Sequence, residues 1–263
     1  MPVPTPDATQ GIQFAGLLKR FGNLVAVNSL NLNVPRGSFY GFVGPNGAGK
    51  TTALTMGTGL LTPDQGTAYI LGHDMWAGGE ETRKAKQSLG VLPDGMHVFE
   101  RLTGLQHISF SGQLRGIDPK TATERGRELL TALDLADAAH KQVGDYSAGM
   151  RKKVLLAGAL VHAPQVLVLD EPFEAVDPIS AANIQSILRS FVEGGGTVIL
   201  SSHVMATVQK LCTHVAVIHH GHVLVAGTIE EVAAGTDLDT RFAQLVGGVT
   251  HTEGLQWLQH SSD

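Results

Sequence analysis

The chain has 263 residues, 43% hydrophobic and 16% charged, with a formal net charge of −5. That length accommodates one large domain or two small ones with an ample core. The acidic balance excludes the basic footprint of a nucleic-acid or anionic-lipid binder, and a single cysteine, Cys212, excludes an internal disulfide and suits a reducing compartment.

Residues 1–10, MPVPTPDATQ, hold three prolines, no basic residue and no apolar run. They read as a frayed tail, reaching to residue 11, rather than a leader. Ile12 to Phe21 reads as a strand. Leu30-Asn31-Leu32-Asn33-Val34 alternates apolar and polar residues, the mark of a half-exposed antiparallel strand. Pro35-Arg36-Gly37 is a turn, and Phe39-Tyr40-Gly41-Phe42-Val43 is a buried strand. It feeds Gly44-Pro45-Asn46-Gly47-Ala48-Gly49-Lys50-Thr51-Thr52, after which Ala53-Leu54-Thr55-Met56 opens a helix. Two glycines framing four residues and followed by Lys-Thr, between a strand and a helix, form a phosphate-binding pattern. Glycines 44, 47 and 49 let backbone amides fold round phosphate oxygens, and the helix N-terminus adds its positive end. Lys50 would neutralise the β- and γ-phosphates, and Thr51 would offer its hydroxyl to Mg²⁺.

Thr62 to Gly66 is another turn, leading to a strand at 67–71; with the first strands it makes a small antiparallel sheet beside the nucleotide. Leu89-Gly90-Val91-Leu92 is a buried-type strand stopped by Pro93. From about 96 to 146 the character changes, with helices near 103–115 and 121–135 and no strand, which reads as a helical insertion. A βα alternation follows: helix 148–162, strand Val166 to Asp170, helix 179–192, strand Thr197 to Leu200, helix 203–211, strand Val215 to Ile218. Such alternation predicts a parallel sheet covered by helices on both faces. Gly221 turns a hairpin into Val223–Ala226, and Phe242–Val246 forms a short late helix. The most apolar region, Val154 to Leu169, is broken by His162, Pro164 and Gln165 and falls short of the roughly 18 to 20 residues of a membrane helix. If the protein works at a membrane, another chain supplies the span.

Two carboxylates, Asp170 and Glu171, end the apolar run Val166–Leu169, at the carboxyl edge where parallel sheets bind ligands. Asp170 could hold Mg²⁺ through water, and Glu171 could deprotonate an attacking water; an acidic helix start before Pro172 is the plainer alternative. His203 follows the next strand, where it could reach a γ-phosphate or simply begin a helix. Tyr146-Ser147-Ala148-Gly149-Met150 opens the helix carrying Arg151, Lys152 and Lys153. Ser147 suits an N-cap, but that does not explain Gly149 inside the helix start. A second phosphate-binding helix terminus, presenting the Ser147 hydroxyl and the Gly149 amide, would. His219, His220 and His222 match no usual metal-ligand spacing and read as turn and surface residues.

Taken in order from about residue 12 to 226, these motifs resemble the ATP-binding cassette (ABC) ATPases: aromatic residue, phosphate loop, glutamine loop, signature, acidic strand, aspartate loop and switch histidine. The resemblance implies an α/β fold, a P-loop NTPase (RecA-like) core with a mostly parallel sheet, an antiparallel β subdomain and an inserted helical subdomain. It implies an ATPase domain over 12–240 with the helical subdomain at about 96–150, followed by a short extension over 241–263. It implies that Phe21 stacks on adenine, with a core phenylalanine as the alternative. Ser147 and Gly149 would touch ATP held by the other subunit of a head-to-tail dimer, with two identical copies expected, and Asp177 would lie at that interface or serve as a helix N-cap before Pro178. ATP and Mg²⁺ are the implied cofactors, with Lys50, Glu171 and His203 as catalytic residues and Thr51, Asp94 and Asp170 on the metal.

Two departures stand out. The signature reads YSAGM where the family pattern is LSGGQ, and Asp94 occupies the place of the usual glutamine. An ionised acid there cannot donate a hydrogen bond. Leu89-Gly-Val-Leu-Pro-Asp94 followed by Glu100-Arg-Leu-Thr-Gly-Leu105 looks like the exporter branch, which pairs such ATPases with a separate six-helix permease. The expectation is therefore an ATPase peripheral on the cytoplasmic face of the cell membrane, dimerising on ATP to drive export. The rival is an ABC-type switch regulating a non-transport membrane complex; a phosphotransferase kinase leaves the signature and His203 unexplained.

Overall fold

The structure, a computed structural model, describes residues 5–95 and 99–247. Residues 1–4 of the expected tail, 96–98 of the expected insertion and 248–263 of the expected extension lie outside the described residues.

Chain order begins with β1 (Gln10–Phe21), β2 (Leu24–Pro35), β3 (Phe39–Val43), α1 (Lys50–Gly57), β4 (Gln65–Ile70), β5 (His73–Asp74), α2 (Gly79–Gln87) and β6 (Leu89–Leu92). It continues with α3 (Gly104–Leu114), α4 (Pro119–Ala132), α5 (Ala148–Leu160), β7 (Val166–Leu169), α6 (Pro178–Glu193) and β8 (Thr197–Ser202). It ends with α7 (Met205–Leu211), β9 (His214–His219), β10 (His222–Thr228), α8 (Ile229–Ala233) and α9 (Leu238–Val246).

These strands form two sheets. The first, ordered β2-β1-β4-β5, is antiparallel, as the alternation at 30–34 predicts. The second is ordered β10-β9-β3-β8-β7-β6 and is parallel from β6 to β9, with β10 added antiparallel by the Gly221 hairpin. Its strands alternate between two cores because side chains alternate across a strand. Phe39, Val43, Leu167, Leu169, Val198, Leu200, Val215 and Val217 enter the core shared with the helices. Tyr40, Phe42, Val166, Val168, Ile199, Ala216 and Ile218 enter the core shared with the first sheet. Burial on both faces is what makes these strands read as unbroken apolar runs.

Helix starts follow local chemistry. Thr103 and Gln106 form a capping box at α3, and Asp118 caps α4 ahead of Pro119. Ser147 caps α5, and Asp177 caps α6 ahead of Pro178.

Some elements differ from the sequence reading. Helix α2 escapes it because GEETRKAKQ buries only Ala85 and so shows no apolar stripe. The helix expected from 203 begins at Met205, since Ser201 and Ser202 remain in β8 and the Ser202 hydroxyl accepts from the Val204 amide at 3.0 Å. Strand β2 starts at Leu24, just past a tight turn at Gly22 (φ +58°). Helix α9 runs through residue 240 and packs Phe242, Leu245 and Val246 on the helical core. No helix among the described residues is long and apolar enough to cross a membrane.

Candidate functional site

The strand order brings four carboxyl ends side by side. β3 delivers Gly44, β8 delivers His203, β7 delivers Asp170 and β6 leads through Pro93 to Asp94. The register holds them level, with Val43 beside Ser202, Leu169 beside Leu200 and Leu92 beside Leu169. A pocket of about 560 Å³ opens over this edge. A larger groove of about 1110 Å³ lies on α3, but Phe99, Leu102, Leu105 and Phe110 make it mainly apolar and no phosphate-binding element borders it.

The pocket wall contains Phe21, Asn46, Gly47, Ala48, Gly49, Lys50, Thr51, Thr52, Asp94, Glu171 and His203. Gly44 and Pro45 stand behind Lys50, whose Nζ donates to their carbonyls at 2.7 and 3.3 Å. The loop needs its glycines. At Gly49, with φ +102°, a Cβ would come 2.4 Å from the Ala26 carbonyl oxygen, and at Gly44 one would come 2.3 Å from that of Ile218. Gly49 is also the N-cap of α1 and offers no side chain to the first-turn amides, which leaves those donors for an anion. Burial holds the Lys50 ammonium below the usual lysine range, opposed by the carboxylates of Glu171 and Asp170.

Below the pocket Asp170 is 2% exposed. Its Oδ1 accepts a short hydrogen bond from Ser201, and the Ser201 hydroxyl accepts from the Glu171 amide at 2.9 Å. Its Oδ2 is buried with no partner among the described residues. A carboxylate pinned through one oxygen, on a residue that shares a small cavity with Leu54, Thr55 and Thr58 of α1, fits a divalent cation held directly or through water. Glu171 takes the left-handed region at φ +45°, unusual for a residue with a side chain. Its Oε2 lies 3.1 Å from His203 Nδ1. The acidic-helix-start alternative does not hold, because α6 begins only at Pro178.

Phe21 is 49% exposed, so it is no core residue, and Lys19 Nζ sits 5.8 Å from its ring centroid. The strand end that carries it is tied down by Asp64, which accepts from Lys19 Nζ at 2.9 Å and from the Arg20 amide at 2.7 Å. These bonds keep the Asp64 carboxyl below its ordinary range.

The structure leaves Ser147, Gly149 and Asp177 out of this pocket wall. The Ser147 hydroxyl accepts from the Met150 amide at 3.3 Å, yet Ser147 and Ala148 remain exposed. A Cβ on Gly149 would meet nothing closer than the Ala175 carbonyl oxygen at 3.7 Å. The fold itself therefore does not require glycine there. Asp177 is an exposed N-cap whose carboxylate accepts from the Ile179 and Ser180 amides at 3.1 and 3.0 Å, and these bonds hold its carboxyl below the ordinary range.

Glu174 and His220 line the pocket without having been singled out for it. His220, read from sequence as a turn and surface residue, is in the turn but also on the pocket wall. The Gly221 amide donates to the Ala48 carbonyl at 2.9 Å, and its carbonyl accepts from the Asn28 amide at 3.0 Å, which locks the hairpin against the phosphate loop. No local signal foretells that contact; an unusual left-handed residue at 220 (φ +47°) is visible only in three dimensions.

Residues 27–174, more than half of the chain, match the ABC transporter family model. The daunorubicin/doxorubicin resistance ATP-binding protein DrrA of Streptomyces peucetius is 38% identical over 224 residues, which is 85% of this chain and 67% of that protein. The bacitracin transport ATP-binding protein BcrA of Enterococcus faecalis is 33% identical over 84% of this chain and 70% of that protein. The linearmycin resistance ATP-binding protein LnrL of Bacillus subtilis is 30% identical over 96% and 81%. Among solved structures, an ATP-binding subunit of an ABC transporter superposes with a TM-score of 0.82 at 24% identity, covering 89% of this chain and 98% of that one. A dimeric post-hydrolysis cassette bound to ADP and Pi gives 0.76 at 22% identity, over 82% and 98%. At those identities the structural likeness establishes the fold.

Proposed function

This chain belongs to the ABC transporter ATP-binding family, and from that membership we propose that it is the ATP-hydrolysing subunit of an exporter, working as a dimer beneath a separate membrane permease. The observation that carries the proposal is the convergence of Lys50 and the Glu171–His203 pair on one glycine-walled pocket, with Ser201 linking the Asp170 carboxylate beneath it to the Glu171 amide. The exporter assignment draws on relatives named for daunorubicin/doxorubicin resistance, bacitracin transport and Nod factor export.

In the proposed mechanism the amides of residues 47–52 and the Lys50 ammonium grip the β- and γ-phosphates. Phe21 stacks on the adenine. Thr51, Asp170 and Asp94 would hold Mg²⁺, which when bound neutralises phosphate charge. Glu171 accepts the proton of the attacking water, and His203 orients Glu171 while facing the γ-phosphate. The exposed Ser147 hydroxyl and the unobstructed face of Gly149 meet the ATP of a second copy, with Asp177 beside them. A dimeric structural relative bound to ADP and Pi accords with this arrangement. Closing such a dimer needs ATP to favour the closed state by several kcal/mol, which bridging one nucleotide between two subunits can supply.

The test is affinity purification of the full chain from membranes, with identification of what accompanies it and measurement of ATP hydrolysis by the complex. Co-purification of a six-helix protein that stimulates hydrolysis is expected. A partner complex with no membrane-spanning permease would overturn the exporter reading in favour of a regulatory switch.

A further inference from the structure

Among the described residues, the phosphate pocket is lined by three carboxylates, Asp94, Glu171 and Glu174, against a single lysine, Lys50. A nucleoside triphosphate must enter that field with several negative charges of its own. Glu171 is engaged by His203 at 3.1 Å, whereas Asp94 faces Lys152, with Nζ 4.0 Å from Oδ1. Lys152 is not part of the pocket wall. It comes from the second turn of α5, the helix capped by Ser147. Its two basic neighbours are occupied otherwise: Arg151 donates to the Gly144 carbonyl at 2.7 Å, and Lys153 is buried. The Lys152 side chain is 16% exposed and that of Asp94 50%. With half of its acid in solvent, the pair contributes little to the stability of the fold. Its effect is on the field that an incoming anion meets.

On the ATPase reading above, we propose that Lys152 is a positioning residue for Asp94. It draws the carboxylate toward α5 and cancels its charge at the edge of the phosphate site. Asp94 stands where the family pattern has a neutral glutamine, so this chain carries one extra negative charge at that point and a cation beside it. Removing Lys152 leaves an unpaired acid facing the triphosphate. Removing the acid as well abolishes the need for the cation.

The test is a double-mutant cycle on the full chain, read by titration with ATP in EDTA and again with Mg²⁺. Lys152→Met should weaken metal-free ATP binding roughly 5- to 30-fold, the scale of one uncompensated charge a few ångströms away. The loss should be smaller with Mg²⁺ and should shrink as salt is raised. Lys152→Arg should bind as the parent does. Asp94→Asn should bind metal-free ATP at least as well as the parent, and adding Lys152→Met to it should change metal-free binding no further. Thermal melting of each variant separates misfolding from a binding effect. A Lys152→Met protein that binds normally, or one whose defect survives Asp94→Asn, would overturn the proposal while leaving the ATPase reading standing. Failure of the parent itself to bind ATP, with Lys50→Ala indistinguishable from it, would overturn both.

Discussion

His203 Nδ1 lies 3.1 Å from Glu171 Oε2, joining the ends of the neighbouring strands β8 and β7 across 32 residues of sequence. With Glu171 ionised, the imidazole N–H donates and the carboxylate accepts, which fixes one oxygen of a side chain that lines the pocket. Glu171→Gln should slow ATP turnover by about 10² to 10⁴ while preserving ATP affinity, the scale of a lost general base. Steady-state hydrolysis and equilibrium ATP binding measured on the same preparation decide it. Near-normal turnover would remove Glu171 from the role.

Gly49 and Gly47 both have positive φ, +102° and +78°, but only Gly49 is hemmed in, by the Ala26 carbonyl oxygen. Gly49→Ala should therefore destabilise the fold by about 1 to 3 kcal/mol and abolish ATP binding. Gly47→Ala has open space around it and should cost only the left-handed penalty of roughly 1 kcal/mol. Urea denaturation of the two variants checks the order.

The signature helix offers the opposite contrast. Nothing among the described residues crowds Gly149, so Gly149→Ala should leave stability equal or raise it by up to about 1 kcal/mol. Ser147→Arg should likewise bind ATP. Both should fail to form ATP-induced dimers, as judged by light scattering with the Glu171→Gln background slowing hydrolysis. Dimers that form normally in Ser147→Arg would refute the shared site.

His162 sets an acid limit on the fold. Burial first, then the Arg115 guanidinium, push its pKa down to about 4, only partly opposed by its bond to the Leu89 carbonyl. That carbonyl accepts at 3.1 Å from Nε2, so Nε2 carries the hydrogen and Nδ1 is buried with no partner among the described residues. The unfolded chain protonates near the ordinary histidine value of about 6.5, the folded chain only near 4, so between those values the unfolded state binds more protons. Stability should be full above about pH 6.5 and fall as the pH drops toward 4. His162→Gln should flatten that part of the curve in a pH series of urea melts.

The phosphate loop was legible because its constraint is local: glycines where φ is positive or a Cβ would collide, a strand before and a helix after. Likewise Ser147 acts on an amide three residues away, so α5 began where its cap predicted; Asp118 and Asp177 do the same for α4 and α6, which start at Pro119 and Pro178, slightly before the 121 and 179 read from sequence. Helix α2 was not legible, since one buried alanine gives no periodicity, and the start of α7 moved because Ser202 served its strand and its hydroxyl at once. Asp170 and Glu171 could be recognised as a pair of acids, but not that Ser201 links the side chain of one to the amide of the other.

The chemical parts, and the local conformations that hold them, were written along the chain: the glycine loop with Lys50, the acids after an apolar run, the serine-capped helix and the alternation of strand and helix. The pairings emerged in three dimensions alone: His220 walls the pocket, Glu174 joins it, Lys152 answers Asp94 and His203 reaches Glu171. Those pairings depend on which strand lies beside which, and strand order is set by burying both faces of the parallel sheet at once. That requirement is shared by the whole chain and leaves no mark on any short stretch of it.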